Sequence, residues 1–406
     1  MMLTLLKIIV GWILKVGLSN YRMNILVHYH DLVYQHEQKV WVTTTNFGIW
    51  VNEISKHVTK VGVIAYETKR KSKNILTKLN EDVKIYSLGS KGNYMNHFER
   101  TARVKRICRE INGGWDHLVV RGITPSQHLV WYNTKSEFKS FLLVRSLNQY
   151  RKLNYSPLSL FLYVRNKVNE HLSKAIIRSA DIFFANSPSF FKELNLIDSK
   201  RIKFVPTNLV SIENYPEMIK KKPTNTINLL FVGRISYLKG LDELLNATKI
   251  LKNKKINFNL KIVADLSSEN LKYYRDLAIK FDVSEHIDWV GFIPYGSPLF
   301  EYYKNADVFI LPSYTEGFPR VFWEAAIHSL PVIITSVGGI PDLLTNQKHA
   351  MLISKKDSQS IVNALLELIS NDVLRHKLIH NSYELAKKYP LEKSVSIMIN
   401  SLRYLN

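Results

Sequence analysis

The residue types that could do chemistry cluster in the second half of the chain. Glu316 and Glu324 stand with seven residues between them in TEGFPRVFWEA, directly after the apolar run ADVFIL. Glu316 then falls in a strand-end loop with Gly317, Phe318 and Pro319. Pro319 suits a first helical turn, where its missing N–H costs nothing, so Glu324 falls inside the helix. Its neighbours Val321, Phe322, Ala325 and Ala326 turn it toward an apolar layer or a cleft. A carboxylate there needs partners, and sugar or ribose hydroxyls would serve. A surface glutamate in a helix salt bridge is the plainer alternative. Upstream, Gly233 ends a buried-type strand, Arg234 and Lys239 follow in the turn, and Gly240 opens LDELLNATKILK. Two cations beside a helix N-terminus make an anion site, because the free N–H groups and the dipole add to their charge. Two exposed loop cations are the alternative. Downstream, Gly338 and Gly339 follow the strand VIIT and allow the backbone to come close to a ligand. Diphosphate-type cations, hydroxyl-type carboxylates and a glycine pair are together what a nucleotide diphosphate sugar requires. A dinucleotide reading is weaker, because no Gly-x-Gly-x-x-Gly follows any strand.

These side chains need strand ends to hold them. From Met23 the chain alternates short β-branched runs with longer helical patterns, the signature of parallel α/β layers. Strands are expected over Asn24–Tyr29, Val61–Tyr66, Val83–Ser87, His117–Arg121, Phe141–Arg145, Asp181–Ala185 and Ile202–Val205. In the second half they fall at Ile227–Val232, Asn259–Val263, His286–Val290, Val308–Leu311 and Val332–Thr335. Helices are expected over Thr101–Ile111 and around Leu160–Ser179. The stretch ENYPEMIKKKPTNT is polar, with two prolines and three consecutive lysines, and reads as a linker. The division is an apolar extension over 1–22, a domain over 23–215, a linker over 216–226 and a second domain over 227–385. Residues 386–406 read as a helix returning to the first domain. The fold class is α/β, with two Rossmann-like, doubly wound domains facing across a cleft. Ligands of such sheets bind beyond the carboxyl ends of the strands. His28 and His30 end the first strand, while Arg121 and Arg145 end two others. They are candidates for the acceptor side, or ordinary strand-end residues. Cys108, Trp289 and Trp323 read as core.

A length of 406 residues fits two domains of ordinary size. With 46% hydrophobic and 22% charged residues, extensive disorder is excluded. A single cysteine excludes a disulfide scaffold and a zinc site built on several cysteines. The net charge of +22 is uneven: residues 1–225 hold 35 Lys and Arg against 16 Asp and Glu, and the remainder 21 against 18. An anionic partner for the first half follows, or else a solvated basic face. Residues 3–18, LTLLKIIVGWILKVGL, are short for a membrane span and carry Lys7 and Lys15 on one side, an interfacial-helix pattern. No small-residue cleavage site follows, unlike a secretory signal. Met23 is an alternative working start.

At GRISYLKG, EGFPRVFWEA, LPVIITSVGGIPDLL and the later Asp357, the sequence resembles the family 4 glycosyltransferases of the GT-B fold. SADIFFANSPSFFKEL and KFVPTNL are weaker matches in the first half. The resemblance implies retaining transfer of a sugar from a UDP- or GDP-sugar, with no cofactor and no catalytic metal. It implies that Arg234 and Lys239 hold the diphosphate, Glu316 the donor sugar and Glu324 the ribose, with the backbone of Gly338 and Gly339 beside the donor. Catalytic roles fall to Glu316, Arg234 and Lys239; Gly233, Gly317, Phe318 and Pro319 join them in lining the donor site. Departures are VTTTNFGIWVNEI, with only Gly48 where a glycine-rich loop is usual, Arg121 where a histidine often ends a strand, Asn208-Leu209 for Asn-Gly, and Asp342 for glutamate.

The function so read is a hexosyl transfer to a glycan or lipid-linked acceptor in cell-surface polysaccharide or glycolipid synthesis. The expected location is cytoplasmic, peripheral on the inner face of the plasma membrane. A glycoside hydrolase would also use two carboxylates but has no need of Arg234 and Lys239. An inactive GT-B-like protein binding anionic membrane or nucleic acid is the other alternative; nucleic acid is disfavoured because no aromatic-rich basic stripe appears. If residues 1–22 form an interfacial helix, the full chain will co-sediment with anionic vesicles and a chain lacking them will do so less. Equal sedimentation of both would eliminate the helix as an anchor.

Overall fold

The computed structural model describes residues 22–36, 39–42, 45–68, 77–90, 97–111, 113–122, 126–143, 157–194, 201–206, 208–219 and 225–405. The expected interfacial helix over 1–22 therefore lies outside the described residues, apart from Arg22, and so does Arg145.

The first sheet contains β1 (Asn24–His36), β2 (Lys39–Val42), β3 (Lys60–Glu67), β4 (Thr77–Lys78), β5 (Val83–Ser90), β6 (His117–Arg121), β7 (Phe138–Leu143), β8 (Ile182–Ala185) and β9 (Ile202–Phe204). Its parallel strands run in the order β5-β3-β1-β6-β7-β8-β9. Both faces are covered, so the strands read as nearly continuous apolar runs. Alternate side chains enter different cores: Ile25, Val27, Val61 and Val63 join one cluster, Leu26, Ile64, Leu118 and Val120 the other. Cys108 is buried in the second.

Sequence patterning missed three strands. β1 does not end at Tyr29. It shifts register between His28 and Leu32, runs on to His36 and turns back into antiparallel β2, which pairs with β4. HDLVYQH carries no clean alternation because this part of β1 projects past the sheet. The region with the lone Gly48 is a helix, Thr45–Ser55, rather than an open loop.

The second sheet is wholly parallel: β10 (Ile227–Val232), β11 (Phe258–Val263), β12 (Ile287–Gly291), β13 (Val308–Leu311), β14 (Val332–Thr335) and β15 (Met351–Ile353), in the order β12-β11-β10-β13-β14-β15. β15, the third missed strand, is too short to show a period. The strand order reverses between β10 and β13 here and between β1 and β6 in the first sheet, while all these strands stay parallel. A crevice opens at each such switch point. Arg234 and Glu316 follow β10 and β13, while His28 and Arg121 sit on β1 and β6. Trp323 is fully buried, while Trp289 is only half-buried against the same core.

The chain crosses between domains twice. After the helix Asp372–Lys388 of the second domain, the helix Leu391–Arg403 returns and buries Leu391, Val395, Met398, Ile399 and Leu402 in the first domain's core. Asn208 binds the two crossings together. Its amide donates to Tyr215 Oη and Tyr389 O, both at 2.9 Å, and its oxygen accepts from Val210 N at 2.9 Å. Leu391 N donates to Val210 O at 3.0 Å.

Met398 is fully buried where the returning helix meets the first sheet. Met398→Ala should cost the first domain about 2–5 kcal/mol. In calorimetry the transition of that domain should fall while the other stays. A shift of the second transition alone would contradict this packing.

Candidate functional site

Three strand-end loops meet at the β10/β13 switch point. The middle one, Pro312–Pro319, leaves β13. On one side lies Gly240, at φ 66°, where an added Cβ would sit 2.0 Å from Pro312 O. On the other lies Gly338, at φ 55°, where a Cβ would sit 1.9 Å from Glu316 O. Gly339 N donates to Gly317 O at 2.8 Å, and Tyr314 N donates to Leu238 O at 2.9 Å. The glycines thus admit protein backbone: what comes close to Gly338 is the loop that carries Glu316. Gly338 is also exposed and lines an open hollow beside these loops, so the same turn packs against protein on one side and opens on the other.

Within this frame Lys239 and Glu316 form an ion pair of 2.5 Å, with 17% and 12% of their side chains exposed. Arg234 stands exposed at the end of β10 beside half-buried Gly233, and no described residue pairs with it. The helix after Gly240 carries Asp242 and Glu243 in its first turn. Asp242 accepts from Tyr273 and Tyr274 at 2.8 and 3.1 Å, and Glu243 accepts from Tyr314. Their negative charge offsets the helix dipole, so the positive character of the site comes from side chains: Arg234 and Lys239, with Lys355 and Lys356 at the neighbouring hollow. An open hollow of about 720 Å³ borders these loops, lined in part by Tyr314, Thr315, Ser336 and Gly338. Arg234, Lys239, Glu316 and Glu324 are not part of its lining, so the hollow adjoins them rather than containing them.

Pro319 is the residue before the helix Arg320–Ile327, with φ −76° and ψ 127°, so the helix begins one residue later than Pro319 suggested. Phe318 is buried against Phe322 and Trp323. Glu324 is only 7% exposed, and its Oε2 accepts from Tyr303 Oη at 2.7 Å. Burial raises the Glu324 pKa; the Tyr303 hydrogen bond and Arg320 oppose that rise. Burial, with Glu324 alongside, also pushes the Tyr303 phenol well up, so it remains the donor. Tyr303 was not anticipated. It lies on a different helix, Ser297–Lys304, and EYYK carries no signal that one tyrosine faces a carboxylate. Asp357 caps the helix Ser358–Ser370 by accepting from Ser360 N at 3.0 Å.

On the facing domain, Arg121 is 6% exposed, its guanidinium 4.8, 5.2 and 5.7 Å from the ring centres of Trp50, Tyr29 and Phe47. Cation–π attraction holds it at the end of β6. His28 is wholly buried, with Nδ1 3.0 Å from Ile64 O, so its ring belongs to the sheet interior. The His30 side chain lies outside the described residues. Among the described residues no group of three His, Cys, Asp or Glu could hold a metal ion, and no helix is long and apolar enough to cross a membrane.

Residues 216–385, which carry all the donor-side candidates, match the family Glycosyl transferases group 1. An uncharacterized glycosyltransferase of Haemophilus influenzae is 30% identical over 197 residues, 48% of this chain and 54% of that protein. The capsular polysaccharide biosynthesis glycosyltransferase CapM of Staphylococcus aureus is 31% identical over 156 residues, 37% of this chain and 39% of its own length. The chain thus spans about half or less of these curated relatives. The solved sucrose-phosphate synthase of Thermosynechococcus elongatus matches with a TM-score of 0.71 and 17% identity, over 95% of this chain and 99% of its own. The two Rossmann-like domains constitute the GT-B fold.

A raised pKa means that folded Glu324 holds its proton more tightly than the unfolded chain does. Its contribution to stability is therefore greatest below the ordinary glutamate range and declines as pH rises through the folded-state value. Glu324→Gln keeps the shape and the acceptor for Tyr303 but does not titrate. Between about pH 4 and about pH 7 the wild-type melting temperature should fall relative to this variant. A constant difference across that range would mean that burial does not tune the carboxyl group.

Proposed function

We propose that the protein is a glycosyltransferase that moves a hexose from a nucleotide diphosphate sugar to a glycan or lipid-linked acceptor, with retention of anomeric configuration. Cell-surface polysaccharide or glycolipid synthesis is the setting. The observation that carries the reading is the convergence of Lys239, Glu316 and Arg234 on one switch point, inside the segment that matches a glycosyltransferase family.

The chemistry follows from these groups. The bond between the anomeric carbon and the diphosphate oxygen breaks, and negative charge grows on the leaving diphosphate. Lys239, held by Glu316, and the exposed Arg234 supply positive charge there, and their effect grows as the bound donor excludes water. When the diphosphate takes its share of Lys239, Glu316 becomes free to accept hydrogen bonds from the donor sugar. Glu324, already desolvated, gains a ribose hydroxyl as a second partner beside Tyr303. The acceptor oxygen attacks from the face the diphosphate leaves, and its proton passes to the departing phosphate oxygen. The acceptor enters from the first domain, whose charge excess suits a lipid phosphate or an anionic bilayer at the inner face of the plasma membrane.

A thermal-shift screen of UDP- and GDP-sugars tests the donor site. One donor at least should raise the melting temperature by mass action. Arg234→Ala should abolish most of that shift and lower kcat about 10²–10³-fold, roughly 2.7–4 kcal/mol in the barrier. No shift with any donor, and an unchanged profile in the variant, would refute the reading.

A further inference from the structure

Apart from the crossings tied by Asn208, the described residues of the two domains make a polar contact at Asp342. Asp342 lies on the short helix Ile340–Leu343 of the second domain. Its Oδ2 accepts three hydrogen bonds from the first domain, from Ser187 Oγ at 2.7 Å, Ser189 N at 2.8 Å and Ser189 Oγ at 2.6 Å. Both serines follow β8, in the segment ANSPSFF. Ser187 has no exposed surface. The approach is close because residue 339 is glycine: a Cβ there would sit 2.3 Å from both Cβ and Oγ of Ser187.

The position of this contact gives it a consequence for the site. Gly339, pressed by Ser187, donates its N–H to Gly317 O at 2.8 Å. Gly338 abuts Glu316 O. Glu316 is in turn paired with Lys239. A continuous run of contacts thus leads from the two serines through Asp342 and the glycine turn to the donor-side carboxylate. Separation of the domains would strip Asp342 of all three donors, each a charge-assisted hydrogen bond of the strong kind. It would also remove the surface against which the glycine turn rests.

We propose that Asp342 is a positioning residue: its clasp on Ser187 and Ser189 holds the cleft closed and makes the placement of Glu316 conditional on that closure. The proposal rests on the glycosyltransferase reading for its catalytic consequence, while the clasp itself is a matter of geometry. The nucleotide cradle lies within the second domain and does not need the clasp. Opening should therefore impair turnover and leave nucleotide binding intact. The aspartate, one methylene shorter than glutamate, matches the short distance that Gly339 allows.

The test uses Asp342→Ala, the doubly substituted Ser187→Ala/Ser189→Ala, and the combination of all three. Three quantities are measured: radius of gyration by small-angle scattering without substrate, affinity for UDP and GDP, and kcat with the donor found by thermal shift. Each variant should be more extended than the wild type and lose about tenfold or more in kcat, with nucleotide affinity within about twofold. The triple variant should be no worse than Asp342→Ala, because the groups act as one unit. The serine variant guards against misfolding, since its changes are small and lie outside the donor domain. Wild-type turnover with unchanged kcat in the variants would overturn the clasp alone. Lowered kcat with unchanged scattering would place the effect of Asp342 within its own domain and overturn the coupling. A wild type that turns over no sugar donor would overturn the reading beneath the proposal.

Discussion

The loops around Glu316 depend on backbone carbonyls that have no room for a Cβ beside them. Pro312 O faces Gly240, and Glu316 O faces Gly338. These contacts clamp the loop after β13 between the loops after β10 and β14. A loop held by β13 at one end, by the helix Arg320–Ile327 at the other and on both flanks by glycines has little freedom left. Glu316 is therefore presented at a fixed place, and the Lys239 ammonium meets it there. Preorganisation of this kind allows a group to act without reorganising during the reaction.

The same loop stack explains how two domains can act as one site. The two crossings are tied together through Asn208 and the bond between Leu391 and Val210, which is where a hinge would lie. The glycine turn sits on the opposite margin, where the first domain reaches it through Ser187 and Ser189. In the proposed clasp, closure and the three bonds to Asp342 go together. The returning helix Leu391–Arg403 belongs to the first domain's core, so the hinge carries two strands of chain rather than one.

Charge is divided along the same boundary. The second domain is nearly neutral and concentrates its positive character on Arg234 and Lys239. The first carries almost all the excess. Within it, Arg121 is folded into an aromatic cluster rather than displayed. Much of that excess therefore lies on other lysines and arginines.

The amino-acid sequence by itself determined the α/β class, most of the parallel strands, and the placement of Glu316, Arg234 and Lys239 at strand ends. Those features are local: a strand buried on both faces must be an apolar run, and a turn must be where glycine and proline interrupt it. β2, β4 and β15 escaped because they are short, and β2 and β4 pair antiparallel on a projecting end of β1, where no period marks them. Only the tertiary structure decided which groups meet. Tyr303 reaches Glu324 from another helix, the serines after β8 reach Asp342 from another domain, and Gly338 abuts the Glu316 carbonyl while Gly339 abuts Ser187. Such contacts depend on the packing of elements distant in sequence. The residues record what can form a hydrogen bond, but the fold selects the partner.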